Sequence, residues 1–125
     1  IIAEIKSGNK NIIIDTTGSV VYTEEKTLSE LKKNSLIVYL EATPEMKEEM
    51  YKNYIKNPKP VIWGTSYQPK KNEKKEEALA KCYPELLNYR SKLYSKLADV
   101  TIPYQKLKEN SMNEEKFLSL IQEKL

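Results

Sequence analysis

The sequence has 125 residues, of which 39% are hydrophobic and 31% are charged, and its formal net charge is +3. These values are typical of a soluble globular protein with one domain, and no apolar run approaches the ~20 residues that a membrane-spanning helix needs. The absence of histidine excludes a histidine-based catalytic triad, while the single cysteine, Cys82, excludes an internal disulfide and makes a cytoplasmic protein the expectation.

The first part of the chain predicts two strands separated by a helix. The opening IIAEIKSG spaces its isoleucines like one helical face, so residues 1–8 are predicted as the end of a helix whose beginning is absent. Residues 11–15, NIIID, form an aliphatic run that is typical of a buried parallel strand. A helix over residues 23–34 follows, capped by Thr23, and residues 36–40 are predicted as a second buried strand.

The middle of the chain predicts a helix and then a long loop. Thr43 is a natural N-cap, and Pro44 suits the first position of the helix that follows. Residues 57–72 contain three of the six prolines and show no periodicity, which is typical of a lid, a binding loop or a disordered segment, and they are predicted as a lid-like loop. Helical patterning returns after this loop, and Pro84 is expected to divide two helices or to kink one.

The last part of the chain predicts a third short strand over residues 100–102 and a terminal helix. Ser111 and Glu114 have the spacing of a capping box ahead of that helix. The complete order is β-α-β-α-loop-α-α-β-α within a single domain over residues 1–125. Strands that alternate with helices predict an α/β fold with a parallel sheet flanked by helices.

A candidate site follows the first predicted strand, where Asp15, Thr16, Thr17 and Gly18 come together. Ligands of open α/β sheets bind outside the carboxyl ends of the strands. The two threonine hydroxyls would donate to ligand oxygens, and Gly18 would allow a ligand or another backbone to approach closely. The alternative is an ordinary turn whose threonines satisfy the local backbone, and the local pattern leaves both interpretations open.

Arg90 is a second candidate because it lies on an apolar helical stripe with Leu86, Tyr94 and Leu97. An arginine is costly to bury unless it is paired. A guanidinium matches the geometry of a carboxylate or a phosphate, so Arg90 is a candidate ligand for an anionic substrate. The alternative, which the pattern alone favours, is a snorkelling side chain or a structural ion pair.

Two segments resemble shikimate kinases and shikimate kinase-like P-loop kinases. In the segment LLNYRSKLYSKLADVTI, an arginine is followed by two variable residues and leucine–tyrosine, and later by alanine–aspartate and a strand. This order is similar to the family's pattern at its last strand. SLIVYLEATPEM resembles the family's strand and the acid-alanine-small-proline-glutamate turn after it. The resemblance covers residues 11–125. It implies a three-layer, P-loop kinase-like fold and, in the full-length protein, ATP- and Mg²⁺-dependent phosphoryl transfer to a metabolite hydroxyl.

The resemblance also implies roles for individual residues. Arg90 stands where the family holds the carboxylate of its substrate, and Thr16, Thr17 and Gly18 stand at the family's three-glycine substrate loop. Because two glycines are replaced by threonine, the substrate is expected to differ from shikimate. Lys59, in KPVIWG, stands in for the lid arginine that meets the transferring phosphates; lysine keeps the charge and loses the bidentate fork.

Asp15 has three possible roles under this resemblance, namely orienting the loop, contacting magnesium through a water, or capping the next turn. No direct metal ligand is predicted. The sequence contains no G-x-x-x-x-G-K-[ST] phosphate loop, so this chain alone is expected to be inactive as a kinase.

In the family, the strand before the phosphate loop lies between the strands that match residues 12–15 and 36–40. We therefore expect a C-terminal fragment that pairs with a missing N-terminal segment, self-associates, repacks or folds poorly. The alternative function is a kinase-like module that binds a ligand or partner without catalysis. Lysines that alternate with glutamates, as in KKNEKKEEALAKC, disfavour a nucleic-acid interface.

Overall fold

A computed structural model describes residues 11–125, and within that range the protein has four α-helices, two short 3-10 helices and one two-stranded parallel sheet. The elements in chain order are the 3-10 helix η1 (Gly18–Tyr22), α1 (Glu25–Asn34), β1 (Val38–Glu41), α2 (Pro44–Lys56), α3 (Lys75–Leu97), β2 (Val100–Pro103), the 3-10 helix η2 (Tyr104–Lys108) and α4 (Glu114–Lys124). The helix predicted over residues 1–8 lies outside the described residues.

The two strands are parallel and joined by the crossover through α2 and α3, as the α/β prediction requires. Val38 is opposite Val100, and the register continues to Glu41 opposite Pro103. The pairing is extended at its start, where the Ile37 backbone N–H donates to Asp99 Oδ2 at 2.9 Å. The predicted strands over residues 36–40 and 100–102 are therefore confirmed, with their limits shifted by one or two residues.

Helices cover both faces of this small sheet. On one face, a cluster of Val100, Ile102 and Ile121 packs with Val38, Phe117 and Leu120, which seats α4 against the sheet. On the other face, the ring of Tyr39 lies 5.2 Å from that of Tyr94 in α3. Alternate residues of β1 thus contact different helices, as the two-residue period of a strand demands.

A second buried cluster holds α2, α3 and the following loop together. Its buried members are Tyr83, Leu86 and Leu87, and the half-buried residues packed against them are Tyr22, Tyr51, Tyr54, Val61 and Trp63. Cys82 is also buried, with 1% of its surface exposed.

The strand predicted over residues 12–15 is wrong, because this segment has no regular structure. Ile13 is 99% exposed and Ile12 is 48% exposed. An aliphatic run becomes a buried strand only when neighbouring strands supply its backbone hydrogen bonds, and β1 is paired in the described structure with β2 alone. Of the three strands predicted for the parallel sheet, two are present within residues 11–125, with helices packed against them.

The helix boundaries follow the predicted caps in one case and depart from them in two. At α2, Thr43 Oγ1 accepts from the Met46 backbone N–H at 3.3 Å, with Pro44 as the first helical residue, as predicted. At α4 the cap is Asn113, whose Oδ1 accepts from the Lys116 backbone N–H at 2.9 Å, and Ser111 lies outside the helix. At α1, Thr23 does not cap; its hydroxyl donates to the Val20 carbonyl at 2.8 Å.

Pro84 does not divide the helical region, because α3 is one helix of 23 residues with this proline inside it. Proline cannot donate to the carbonyl one turn earlier, which belongs to Ala80. Both residues are exposed, so water can satisfy that carbonyl.

The loop over residues 57–72 contains no helix or strand, in agreement with the prediction, and Gly64 within it has a left-handed φ of 55°. Within residues 11–125, no helix combines the length and the apolar character needed to cross a membrane.

Candidate functional site

Gly18 and Arg90, which are far apart in the sequence, are neighbours in the structure. A β-carbon built on Gly18 would lie 2.9 Å from the Tyr94 hydroxyl and 3.0 Å from Arg90 Nη1. A side chain at this position would therefore require the ends of the Tyr94 and Arg90 side chains to shift. The Tyr94 hydroxyl also donates to the Gly18 carbonyl. The start of η1 is therefore held against the surface of α3.

The helical period places the two side chains of α3 on the same side. Arg90 and Tyr94 are four residues apart, so they lie one above the other on one helix face. The predicted apolar stripe thus includes two polar side chains, Arg90 and Tyr94, that face η1. The buried Leu86 lies one turn before Arg90 on the same stripe.

The guanidinium of Arg90 joins three segments of the chain. Its Nη2 donates to the carbonyl of Ile62 at 2.8 Å, and its central carbon lies 5.3 Å from the centre of the Tyr22 ring, a cation–π distance. Its Nε is buried and has no hydrogen-bond partner. Among the described residues no carboxylate forms an ion pair with Arg90.

Tyr22 provides a second unsatisfied polar atom in the same place. Its hydroxyl is buried and has no hydrogen-bond partner, and its ring approaches Gly64, where an added β-carbon would lie 3.3 Å from the ring. Buried polar groups without partners each cost about 1–3 kcal/mol, so they are rare in folded proteins. One of the two belongs to the Arg90 guanidinium and the other lies beside it, so a polar ligand bound there would satisfy both donors.

The Tyr94 hydroxyl is in an environment that keeps it protonated. Burial raises the pKa of Tyr94, and the neighbouring Arg90 guanidinium opposes that change. Tyr83, deeper in the same region, also has its pKa raised by burial and lowered in part by Arg90. The Tyr94 phenol therefore remains a hydrogen-bond donor at neutral pH.

The loop that carries Ile62 is anchored by an aromatic cluster, defined here as Tyr51, Tyr54, Trp63, Tyr67 and Tyr83. Tyr54 stacks on Tyr83 with 4.5 Å between ring centroids. Trp63 contacts Tyr54, Tyr67 and Tyr83 with centroid distances of 6.2, 5.0 and 6.2 Å. The residue next to Ile62 is thus fixed against α2 and α3.

The other predicted site residues lie at different distances from this centre. Thr17 is the N-cap of η1; its Oγ1 lies 3.0 Å from Ser19 Oγ and its carbonyl accepts from the Val20 backbone N–H. This is the local turn role that the sequence left open for it. Thr16 is exposed and precedes the turn.

Asp15 and Lys59 are exposed, and in the described part of the chain neither of them forms a hydrogen bond or an ion pair. The structure does not bring either residue into contact with Arg90. Across residues 11–125 no group of three or more histidine, cysteine, aspartate or glutamate side chains is arranged to hold a metal ion.

Three groups of this site are not predicted from the sequence as site residues. Tyr94 is recognisable from its position one helical turn after Arg90, although the pattern predicts it only as a member of the apolar stripe. Tyr22 and the Ile62 carbonyl had no local signal, because their roles depend on how η1 and the loop pack against α3.

The same chain was compared with known proteins. No family model matches the sequence, and neither the curated proteins nor the solved structures gave a match.

Proposed function

We propose that this chain is the C-terminal part of a small-molecule kinase with a shikimate kinase-like, three-layer P-loop fold, and that Arg90 binds an anionic group of the substrate. The observation that carries the proposal is the contact of Gly18 with Arg90 and Tyr94. The family resemblance assigns Gly18 and Arg90 to one substrate pocket. The two residues are also neighbours in the fold, although they are far apart in the sequence.

The chemistry of the contact favours a carboxylate or a phosphate as the ligand. A guanidinium without a carboxylate partner can donate two parallel hydrogen bonds to an anion. Such charge-assisted hydrogen bonds are about twice as strong as neutral ones. The Tyr22 hydroxyl, which has no partner, is an additional donor beside it, whereas the Tyr94 hydroxyl already donates its proton to the Gly18 carbonyl. We expect Thr16 and Thr17 to lie at the rim of the pocket, where their hydroxyls would contact the remainder of the substrate.

The residues of this sequence do not fit a complete nucleotide site. The sequence has no glycine-rich phosphate loop, and residues 11–125 hold no acidic cluster for magnesium. ATP and Mg²⁺ are therefore proposed only for a longer protein that supplies that loop, with Lys59 facing the phosphates and Asp15 near the metal through a water. In such a protein the catalytic contribution would be positioning and charge neutralisation.

A second candidate function is a kinase-like module that binds a small anion or a partner without phosphoryl transfer. It is favoured by Thr16 and Thr17, which replace glycines of the substrate loop, and by Lys59, which replaces the lid arginine. Both candidates share the anion site at Arg90 and differ in catalysis.

The anion site is tested by NMR, because Arg90 is the only arginine of the chain and its Nε–H resonance is unambiguous. Shikimate, malate and inorganic phosphate are titrated separately into the labelled protein. We expect at least one of them to shift this resonance in a saturable manner. In Arg90→Met, binding of that anion should weaken by roughly tenfold or more, as expected for a lost charge-assisted hydrogen bond.

The matched control is Lys92→Met, which removes one positive charge from an exposed position of the same helix. If the two variants weaken binding equally, the effect is one of net charge and the Arg90 site is refuted. Phosphoryl transfer from ATP by a protein extended upstream then separates the two candidates. Turnover supports the kinase, and saturable anion binding without turnover supports the binding module.

A further inference from the structure

We infer that the Ile62 carbonyl closes the anion site in the free protein, and that an anion binding to Arg90 displaces this carbonyl and moves the loop around Trp63. This inference rests on the proposed function, because it concerns the same guanidinium. The sequence and the family resemblance indicate a lid at this loop, and the hydrogen bond from Arg90 to the Ile62 carbonyl adds that the loop competes with the anion.

The Ile62 carbonyl already occupies one side of the Arg90 guanidinium in the free protein. Arg90 Nη2 donates to the Ile62 carbonyl at 2.8 Å, while Nη1 faces Gly18. Nε is buried without a partner, so no solvent reaches that edge of the guanidinium. An anion that engages the fork of the guanidinium must therefore take the place of the Ile62 carbonyl or enter beneath the loop.

An anion is a stronger hydrogen-bond acceptor for Arg90 than the Ile62 carbonyl is. A backbone carbonyl is a neutral acceptor with a single oxygen, whereas a carboxylate or phosphate is charged and bonds a guanidinium through two oxygens. The carbonyl also leaves Nε unsatisfied, and a bidentate anion would satisfy it. Exchange of the carbonyl for an anion is favourable at Arg90, and its cost lies in moving the loop.

Movement of the Ile62 carbonyl is coupled to the position of the Trp63 side chain. Trp63 follows Ile62 directly, and its ring contacts Tyr54, Tyr67 and Tyr83. The Trp63 carbonyl also accepts from the Ser66 backbone N–H at 3.0 Å, closing the turn that contains Gly64. Displacement of the Ile62 carbonyl must therefore alter the surroundings of the Trp63 indole.

The aromatic cluster and the anion therefore favour different positions of the loop. The aromatic cluster stabilises the loop in the position that occupies Arg90, so it competes with the anion. A variant that loosens the cluster should bind the anion more tightly, although it removes no group from the anion site itself.

One titration tests the inference. Trp63 is the only tryptophan, so its indole N–H and the Nε–H of Arg90 are both unambiguous in the same NMR spectrum. Shikimate, malate and inorganic phosphate are the probes. We expect the two resonances to shift with the same dissociation constant. A saturable shift of Arg90 with an unchanged indole overturns the inference and leaves the proposed anion site intact; no shift of Arg90 with any probe refutes both.

Two variants make the test independent of the spectra. Tyr67→Ala removes one contact of Trp63, and Trp63→Ala removes the anchor itself. Binding measured by calorimetry should tighten in both, by roughly tenfold when the loop no longer competes for one charge-assisted hydrogen bond. Tyr89→Ala, an exposed aromatic of α3 outside the cluster, is the matched control and should bind as the wild type does. Unchanged affinity in a folded Tyr67→Ala protein would overturn the inference.

Discussion

At the scale of single residues, Gly18 carries the tightest geometric constraint of the candidate site. Gly18→Ala brings a methyl group within 2.9 Å of the Tyr94 hydroxyl and 3.0 Å of Arg90 Nη1, distances that force a shift. Because both atoms are the ends of side chains that can move, we expect the free energy of unfolding to fall by about 1 kcal/mol, the lower end of the usual cost of overpacking.

The measurement for this variant is urea unfolding followed by circular dichroism. Thr16→Ala is the control, because Thr16 is exposed two residues earlier and its substitution should change stability by no more than about 0.5 kcal/mol. Equal stability of Gly18→Ala and Thr16→Ala would mean that η1 is not held against α3.

The hydroxyl of Tyr94 gives a prediction about pH. Burial raises the pKa of Tyr94 above its ordinary value of 10.0, so the folded state holds this proton more tightly than the unfolded state does. The resulting stabilisation is complete below that ordinary pKa and is lost as the pH rises through the folded value. We expect the urea midpoint to decline in alkaline solution, above the ordinary tyrosine pKa.

The variant that isolates this effect is Tyr94→Phe. At neutral pH it should lose about 0.5–1.5 kcal/mol, because the hydrogen bond to the Gly18 carbonyl disappears. Its alkaline decline should be shallower than that of the wild type, although Tyr83 retains a contribution of the same sign. An identical slope in the two proteins would contradict the assignment to Tyr94.

At the scale of elements, the local pattern was sufficient at the start of α2 and insufficient at the starts of α1 and α4. The cap at Thr43 and Pro44 is set by residues within one turn, and the structure has it as predicted. Phe117, Leu120 and Ile121 of α4 have the spacing of one helical face, and all three pack in the cluster against the sheet. Asn113 was missed as the cap because the S-x-x-E pattern two residues earlier gave a competing local solution.

The strand predicted over residues 12–15 was wrong for a non-local reason. Its composition suits a buried strand, but a strand requires a neighbour along its whole length. Within the described residues β1 is paired only with β2, and nothing in NIIID indicates whether a partner exists.

The site shows the same division between local and non-local information. The stripe that carries Arg90 was predictable from helical spacing, while its contact with Gly18 was suggested by the family resemblance alone. The Ile62 carbonyl was unpredictable, because any residue can supply a backbone acceptor and only the path of the loop selects one.

At the scale of the whole molecule, an uncovered apolar region predicts association. Ile12 and Ile13 are 48% and 99% exposed, Leu36 and Leu40 are 48% and 38% exposed, and within residues 11–125 β1 is paired with β2 alone. Exposed aliphatic side chains and a free strand edge favour pairing with another chain. We expect this chain to self-associate as its concentration rises.

Sedimentation velocity over a range of concentrations measures this association. Ile13→Lys should shift the population towards the monomer, because a charge on the free segment opposes pairing. Leu118→Lys, at a 57% exposed position of α4, serves as the control and should leave the distribution unchanged. A wild-type chain that stays monomeric at every concentration would show that the exposed region does not drive association.

Anion binding by Arg90 is measured directly by the Nε–H resonance of this single arginine. Titration with shikimate, malate or inorganic phosphate should give a saturable shift of this resonance with at least one of the three. The shift should persist in Lys92→Met, and binding of the same anion should weaken by roughly tenfold or more in Arg90→Met. A resonance that none of the three anions moves, in a protein that is folded by its other signals, would contradict the account.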